Sequence, residues 1–317
     1  MNETDTDTPV NVQQFNAEFV SAIENSPLTG EIKEASAKTS RMIGRRLREN
    51  GFWRHVIKPE TIGNGDLHPS LDSDLPRIIE NMEADSPGAK SMPFNDGPDT
   101  EFYRGDKFEI VFYKISTPNF AKNIQELRTY SIDLRQVITD NALKDLQTAE
   151  DTRGLQISDR VVGSESGVGA SGQQQNFAIT GAITRQSYRT IKNHLEDLEL
   201  NNGVFLINRH TCNEFIGFDR NELGGDKAAD LFFQGMAALD KLVVLGVPHL
   251  ATLKRALVPD NVVYQFTEPN YLGRFYILED VTIYVERKRD MLQFNAEEKI
   301  GCTIANVRGI TRTRFTG

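Results

Sequence analysis

The chain has few cysteines, two in 317 residues, and it lacks long apolar runs. Cys212 and Cys302 are too few for a disulfide framework and neither belongs to a C-x-x-C pair, which is typical of a reducing compartment. The apolar runs, such as 242–247, are far shorter than the ~20 residues that a membrane span requires, and the amino terminus is polar and acidic. We therefore expect no disulfide framework, no transmembrane helix and no signal peptide.

Basic charge is also in the minority. Lysine and arginine number 36 against 45 aspartates and glutamates, so the net charge is −9. This balance disfavours attraction of the whole molecule to nucleic acid or to an anionic membrane. The length corresponds to one large folded unit or to two domains, and such a chain buries a sizeable core without a metal or disulfide.

Two helices are predicted at the amino terminus. Val12, Phe15, Phe19 and Ile23 recur at three- and four-residue spacing, so the first helix has an apolar face. The second covers 31–50 and opens a segment, 31–54, with seven basic and three acidic residues. We interpret this basic face as a contact with a neighbouring subunit rather than with nucleic acid, because no aromatic residues are interleaved for base stacking. A solvated surface is the simpler alternative.

A long arm is predicted next. Six of the twelve prolines fall in 59–98, which reads as loop with a short helix at Leu75–Met82, capped by Asp74. Both flanks, Phe52–Ile57 and Phe102–Ile115, read as extended. A two-stranded ribbon is marginally stable alone in water, so we expect the arm to rest on a neighbouring subunit.

The remaining chain alternates helices and strands. We predict a long helix over 139–162, an exposed and flexible loop over 163–175, and helices over 188–198 and 211–218. Buried strands are expected at 204–207 and 242–245. The last third is rich in strands, predicted at 261–266, 273–278, 281–288 and 300–307.

Motifs for catalysis are weak. Gly167, Gly169 and Gly172 satisfy G-x-G-x-x-G, but no strand leads into them, as a dinucleotide site requires. His210 and Cys212 supply two metal ligands where a closed site needs four. We therefore expect no catalytic residue, no cofactor-binding residue and no metal site.

The carboxyl-terminal third carries a resemblance. The segments LVVLGVPHLATLKRALVPDNVVYQF (242–266) and LGRFYILEDVTIYVERKRDMLQFNAEEKIGCTIANVRGITRTRF (272–315) resemble the end of tailed-bacteriophage major capsid proteins of the Hong Kong 97 type. The order of the preceding segments is similar to that family as well. The resemblance implies an α+β fold with an N-arm at 1–52, an E-loop with a proline-rich tip at 53–118, a peripheral domain with a spine helix at 119–175 and 261–317, and an axial domain at 176–260.

The same resemblance implies a structural role without chemistry. Pentamers and hexamers of the chain would form an icosahedral head around double-stranded DNA, bound without sequence specificity, in the virion and earlier in the host cytoplasm. The chain has no long charged coiled-coil segment at its start, so we expect no cleavage and a separate scaffold, with portal and decoration proteins as further partners. The candidate contacts between subunits are Phe15, Phe19, Arg41, Arg45, Arg46, Arg48, Phe102, Tyr103 and Phe108.

Two alternatives stay open. The first is an encapsulin-like nanocompartment, which has a similar fold and holds protein cargo in place of a genome. The second is a nucleotide-binding enzyme built around the glycine run at 167–172. Saturable cofactor binding that Gly169→Trp abolishes would support the enzyme.

Overall fold

The computed structural model describes residues 51–69, 74–81, 107–123, 125–126, 134–164, 168–214, 242–244 and 246–316, with single positions between 89 and 105. Its helices are α1 Trp53–Val56, α2 Leu134–Val162, α3 Arg185–Glu196, α4 Arg209–Glu214 and α5 Pro269–Leu272. Its strands are β1 Pro59–Thr61, β2 Arg77–Asn81, β3 Lys107–Ser116, β4 Phe120–Asn123, β5 Asn176–Thr180, β6 Asn202–Asn208, β7 Leu242–Val244, β8 Val247–Thr252, β9 Val262–Thr267, β10 Gly273–Lys288, β11 Met291–Ile304 and β12 Ile310–Thr316.

The described strands form two mixed sheets. The first has the order β1-β10-β11-β3-β2, with β4 paired to the far end of β11. The second has the order β5-β12-β9-β6-β8-β7. Strands β9 and β12 come from the last segment of the chain, yet they pair within the second sheet, beside β5, β6, β7 and β8. The sheets therefore do not follow the predicted boundary at 260/261, and the division into peripheral and axial domains stays a prediction.

The long hairpin of β10 and β11 follows its predicted alternation. Val281 and Ile283 are buried against Ala142 and Leu146 of α2, whereas Tyr284 and Glu286 face outward. Such alternation is what a strand requires when a helix covers only one face of its sheet. The predicted strand pattern at 281–288 is confirmed.

Helix α3 is also confirmed, with a clear reason for its start. The Thr184 hydroxyl accepts a hydrogen bond from Ser187 N at 3.2 Å, and Ser187 Oγ accepts one from Thr184 N at 2.8 Å. This reciprocal pair satisfies two amide groups at the helix N-terminus. Tyr188 and Ile191 then pack on Phe205 of β6, so α3 covers one face of the second sheet.

The spine helix was predicted over 139–162, and the structure extends it back to Leu134. It ends at Gly163, whose φ of 75° lies in the left-handed region that glycine adopts without a Cβ penalty. Gly163 N still bonds the Asp159 carbonyl at 3.0 Å, so the last turn is complete.

Three local expectations were wrong, and a fourth holds except at one residue. Leu75–Met82 does not begin a helix, because Arg77–Asn81 pair with β3 as strand β2. Phe52–Ile57 is not extended and contains helix α1. The β7 segment is an edge strand with Val243 exposed. In the described part of 163–175 the residues are exposed or half-buried, as predicted, except for Gln175. Its side chain is buried, and its amide donates to the carbonyls of Val307 and Ile310, each at 2.6 Å. The helix predicted at 211–218 is described only as far as Glu214.

Candidate assembly interface

The arm begins at helix α1, which is fixed to the body of the subunit by Trp53. Its backbone N–H donates to Asp151 Oδ1 at 3.0 Å, and its indole Nε1–H donates to Cys302 Sγ at 3.3 Å. The ring also meets Phe266 edge-on, with centroids 5.9 Å apart. Trp53 is only 1% exposed, so it joins α1 to α2, β9 and β11 in one apolar core.

Gly154 of α2 makes room for this ring. A Cβ at Gly154 would lie 2.1 Å from Trp53 Cδ2 and 2.4 Å from Cε2, far inside any real contact. The glycine costs the helix about 1 kcal/mol relative to alanine. The close approach of the indole explains why that cost is tolerated.

A buried ionic group lies beside the tryptophan, and we call it the junction cluster. Arg54 Nε donates to both oxygens of Glu150, at 2.8 and 3.0 Å, and Arg54 Nη2 lies 3.3 Å from Glu298 Oε2. Lys254 Nζ contacts Asp151 Oδ2 at 2.5 Å. The junction cluster therefore ties α1 to α2, β11 and the loop after β8; its members are Arg54, Glu150, Asp151, Lys254 and Glu298.

Burial dominates the electrostatics of the junction cluster. The side chains of Arg54, Glu150 and Glu298 are at most 1% exposed. Loss of solvation raises the pKa of Glu150 and of Glu298 well above the ordinary range. The charge of Glu150 adds to the rise at Glu298, and Arg54 opposes the rise in pKa at both glutamates. Burial likewise raises the pKa of Asp151, although Lys254 opposes the rise.

The arm has two unlike faces. Its inner face carries Ile78 and Ile110, which are buried against Tyr276 of β10 together with Phe112. Its outer face carries Ile79 and Val111, both of them exposed, and this face we call the outer arm face. The base of the arm therefore rests on its own subunit, while the outer arm face exposes apolar side chains.

Polar contacts hold the arm against the sheet. Glu80 of β2 accepts hydrogen bonds from the Tyr276 hydroxyl and from Arg274 Nε, the second at 3.4 Å. On the outer arm face, Arg77 Nη1 pairs with Glu109 at 3.0 Å. The inner bonds fix the direction in which the arm leaves the sheet.

Strand β3 belongs both to the arm and to the body of the first sheet. The first half of β3, Lys107–Val111, pairs with β2, and the second half, Phe112–Ser116, pairs with β11. Gly301 of β11 lies opposite Phe112, where a Cβ would come within 3.0 Å of both Phe112 and Ile110. The absence of a side chain at 301 allows β3 to pass closely over β11.

Of the predicted contact residues, the structure describes Phe108. It is half-buried and packs on the inner face of the arm, with Ile78 and Ile110, so its cover comes from its own subunit. The other eight lie outside the described residues: Phe15, Phe19, Arg41, Arg45, Arg46, Arg48, Phe102 and Tyr103.

The enzyme-like motifs do not form a site in the described part of the chain. The glycines follow helix α2 and precede strand β5, the reverse of the order in a dinucleotide-binding loop. Burial raises the pKa of Cys212 to about 11, which leaves its thiol protonated and a poor nucleophile. Within the residues described, no three His, Cys, Asp or Glu side chains are grouped to hold a metal, and no helix has the length and apolar character of a membrane span.

Sequence reasoning missed the junction cluster entirely. Trp53 and Arg54 meet partners 98 and 244 residues away, and no local pattern pairs residues at such separations. Two features of the sequence indicate part of this contact. Gly154 leaves space in a long helical segment, and the chain has a single tryptophan that can fill it.

Comparison with known proteins gives relatives in structure alone. No protein-family model matches the chain and no curated protein matches its sequence. Among solved structures, the mature capsid of bacteriophage PhiM1 aligns with a TM-score of 0.55 and 11% identity, over 84% of this chain and 88% of that one. The capsid of a native GTA particle aligns at 0.57 and 12%, over 83% and 89%. A virus-like particle from Pyrococcus furiosus aligns at 0.52 and 13%, over 87% and 98%.

These alignments cover most of both chains, and they define the fold. The chain has the α+β fold of Hong Kong 97-type capsid proteins, as the resemblance in its last third implied. The assignment of the β2–β3 arm as the E-loop and of α2 as the spine helix stays a prediction.

Proposed function

We propose that the chain is a major capsid protein that assembles in many copies into the icosahedral head of a tailed bacteriophage. The observation that carries the proposal is the arm, which projects an exposed apolar face from a subunit whose fold matches shell proteins. Pentamers and hexamers would form the shell, and the virion is its final location. The role requires no catalysis.

The outer arm face supplies the driving force for assembly. Ile79 and Val111 lie diagonally across β2 and β3, because Ile79 is opposite Glu109 and Val111 is opposite Arg77. With Leu75, just before β2, they give this face three exposed apolar side chains beside the Arg77–Glu109 ion pair. Covering apolar surface is favourable by roughly 25 cal/mol per Å². Each contact of this size is weak, but a closed shell repeats it in every subunit.

Double-stranded DNA is the proposed content of the shell. The net charge of −9 disfavours tight binding of packaged DNA by the protein as a whole. We further propose that scaffold, portal and decoration proteins are encoded separately and that the host cytoplasm is the place of assembly.

Substitutions at Val111 test the arm's role. Val111→Asp places a charge on the outer arm face opposite Arg77, which is already paired with Glu109. Burying the added carboxylate between subunits without a cation of its own is costly. We expect subunits that fold normally but form no closed particles in negative-stain electron microscopy. The matched control, Val111→Leu, keeps the face apolar and should assemble. Normal particles from Val111→Asp would contradict the proposal.

A deletion tests the arm's tip. Asn81 and Lys107 are directly paired, so a two-residue Asn-Gly turn can replace 82–106 and leave the β2–β3 pairing intact. We expect folded subunits that do not close into shells. Shells of normal size from this variant would remove the tip from the assembly mechanism.

A nanocompartment with protein cargo is the second candidate function. It is favoured by the alignment to the Pyrococcus virus-like particle, which covers 98% of that chain. Particles purified from the native host distinguish the two, because a phage head protects DNA from nuclease and a cargo compartment holds protein instead.

A further inference from the structure

The charges of the junction cluster do not balance. Three carboxylates face two cations, and Lys254 is already bound to Asp151. Arg54 therefore serves both Glu150 and Glu298, although all three side chains are sealed from solvent. A second buried negative charge without its own cation is costly, so one glutamate is expected to hold a proton.

Hydrogen bonding identifies which glutamate. Glu150 receives two bonds from Arg54 Nε, the shorter at 2.8 Å, whereas Glu298 has one contact at 3.3 Å. Glu298 Oε1 is buried without a hydrogen-bond partner, and so is Arg54 Nη1. An ionised carboxylate loses most by such an arrangement, so Glu298 Oε1 is the atom that takes the proton.

The surrounding groups favour the same state. From the elements packed around Glu298, the charged or titratable groups are Arg54, Glu150, Asp151, Arg153, Lys254, Asp280, Tyr113 and Cys302. The two nearest acids, Glu150 and Asp280, add to the effect of burial, and Arg153 is placed over the Tyr113 ring, 5.0 Å from its centroid. Burial raises the pKa of Glu298 to about 8 and that of Glu150 to about 7.

We propose that the junction cluster is a proton-binding site, in which a proton on Glu298 Oε1 keeps helix α1 docked and the release of that proton loosens α1 from α2 and β11. Helix α1 is four residues long and has no side-chain cap, so its position depends on its buried contacts, which are the apolar packing of Trp53 and Val56 and the ionic contacts of Arg54. Strand β1 follows α1 and pairs with β10 before the chain reaches β2, so pH would change how firmly the first segment of the arm is held. The consequence for assembly rests on the proposed function; the proton site does not.

The single tryptophan makes the proposal measurable in the full-length, unassembled chain. Trp53 bonds both Asp151 and Cys302 beside the junction cluster. We expect its emission to shift to the red and its quenching by acrylamide to rise between about pH 6 and pH 9, either side of the raised values. Glu298→Gln, which stays neutral, should abolish the shift. The matched control Glu286→Gln, at an exposed position on β10, should keep it.

Three results would overturn the proposal: no transition in the wild type, the same transition in Glu298→Gln, or its loss in Glu286→Gln. If Glu298→Gln does not fold, infrared difference spectra of the wild type decide. The C=O band of a protonated buried carboxyl must then disappear between about pH 6 and pH 9, and its absence at the lower pH refutes the site. A chain that forms no particles would still give the fluorescence and infrared results, so the proton site and the capsid function are tested separately.

Discussion

Replacing Gly154 by alanine sets two effects of opposite sign against each other. Alanine favours the helix by about 1 kcal/mol, because glycine loses more backbone entropy. The added methyl group, however, would lie between 2.1 and 2.6 Å from three atoms of the Trp53 ring. Overpacking of a filled core typically costs about 1–3 kcal/mol and occasionally more.

The structure decides in favour of the steric cost. The indole is held at its Nε1 by Cys302 and at its edge by Phe266, so it has little freedom to move aside. With contacts this short the cost belongs at the top of the range, and Gly154→Ala should lower the free energy of unfolding by about 2 kcal/mol net. Urea denaturation followed by far-ultraviolet circular dichroism measures this without relying on tryptophan emission.

Two further variants make the explanation specific. Gly65→Ala is the control, because a Cβ there meets nothing within 4 Å, and it should change stability little. In a Trp53→Leu background the ring is absent, so Gly154→Ala should become neutral or stabilising. A wild-type or raised stability for Gly154→Ala alone would refute the steric reasoning.

Other predictions follow from the same core. Arg54→Ala leaves the buried glutamates without a cation and should cost about 3–5 kcal/mol of unfolding free energy in urea denaturation. Because the folded chain keeps a proton on Glu298 that the unfolded chain has released, stability should fall as pH rises from the ordinary glutamate value to about 8, by up to about 1.4 kcal/mol per pH unit in denaturation curves. Burial raises the pKa of Cys302 to about 12, so native protein should resist alkylation there, as at Cys212, in mass spectra. Gln175→Leu strands two carbonyls and should cost about 1–3 kcal/mol in thermal unfolding.

The spacing of apolar residues predicted those elements that bury a single face against one neighbouring helix or sheet. Val281 and Ile283 alternate with polar residues because α2 covers a single face of the hairpin. The apolar face of α3 was predictable for the same reason, and its N-terminal cap involves only residues Thr184–Ser187, which are local in sequence. The order of these elements, together with the resemblance in the last third, was enough to anticipate the fold.

Non-local pairing explains the errors. Asp74 and Pro76 are helix-start signals, yet Ile78 lies opposite Ile110 of β3, and this long-range pair prevails over the local preference. The junction cluster was invisible for a related reason, because Arg54 and Glu298 are 244 positions apart. Gly154 was read as a weak point of its helix, whereas the indole of Trp53 requires it.

The double membership of β3 has a mechanical consequence. A pull on the arm's tip runs along ten residues whose first half is bonded to β2 and whose second half is bonded to β11. Because β2 belongs to the arm itself, the pull is resisted by the bonds between β3 and β11, which a force along the strand loads together in shear. A neighbouring subunit that pulls on the arm would therefore strain the first sheet before it could detach the arm from β11.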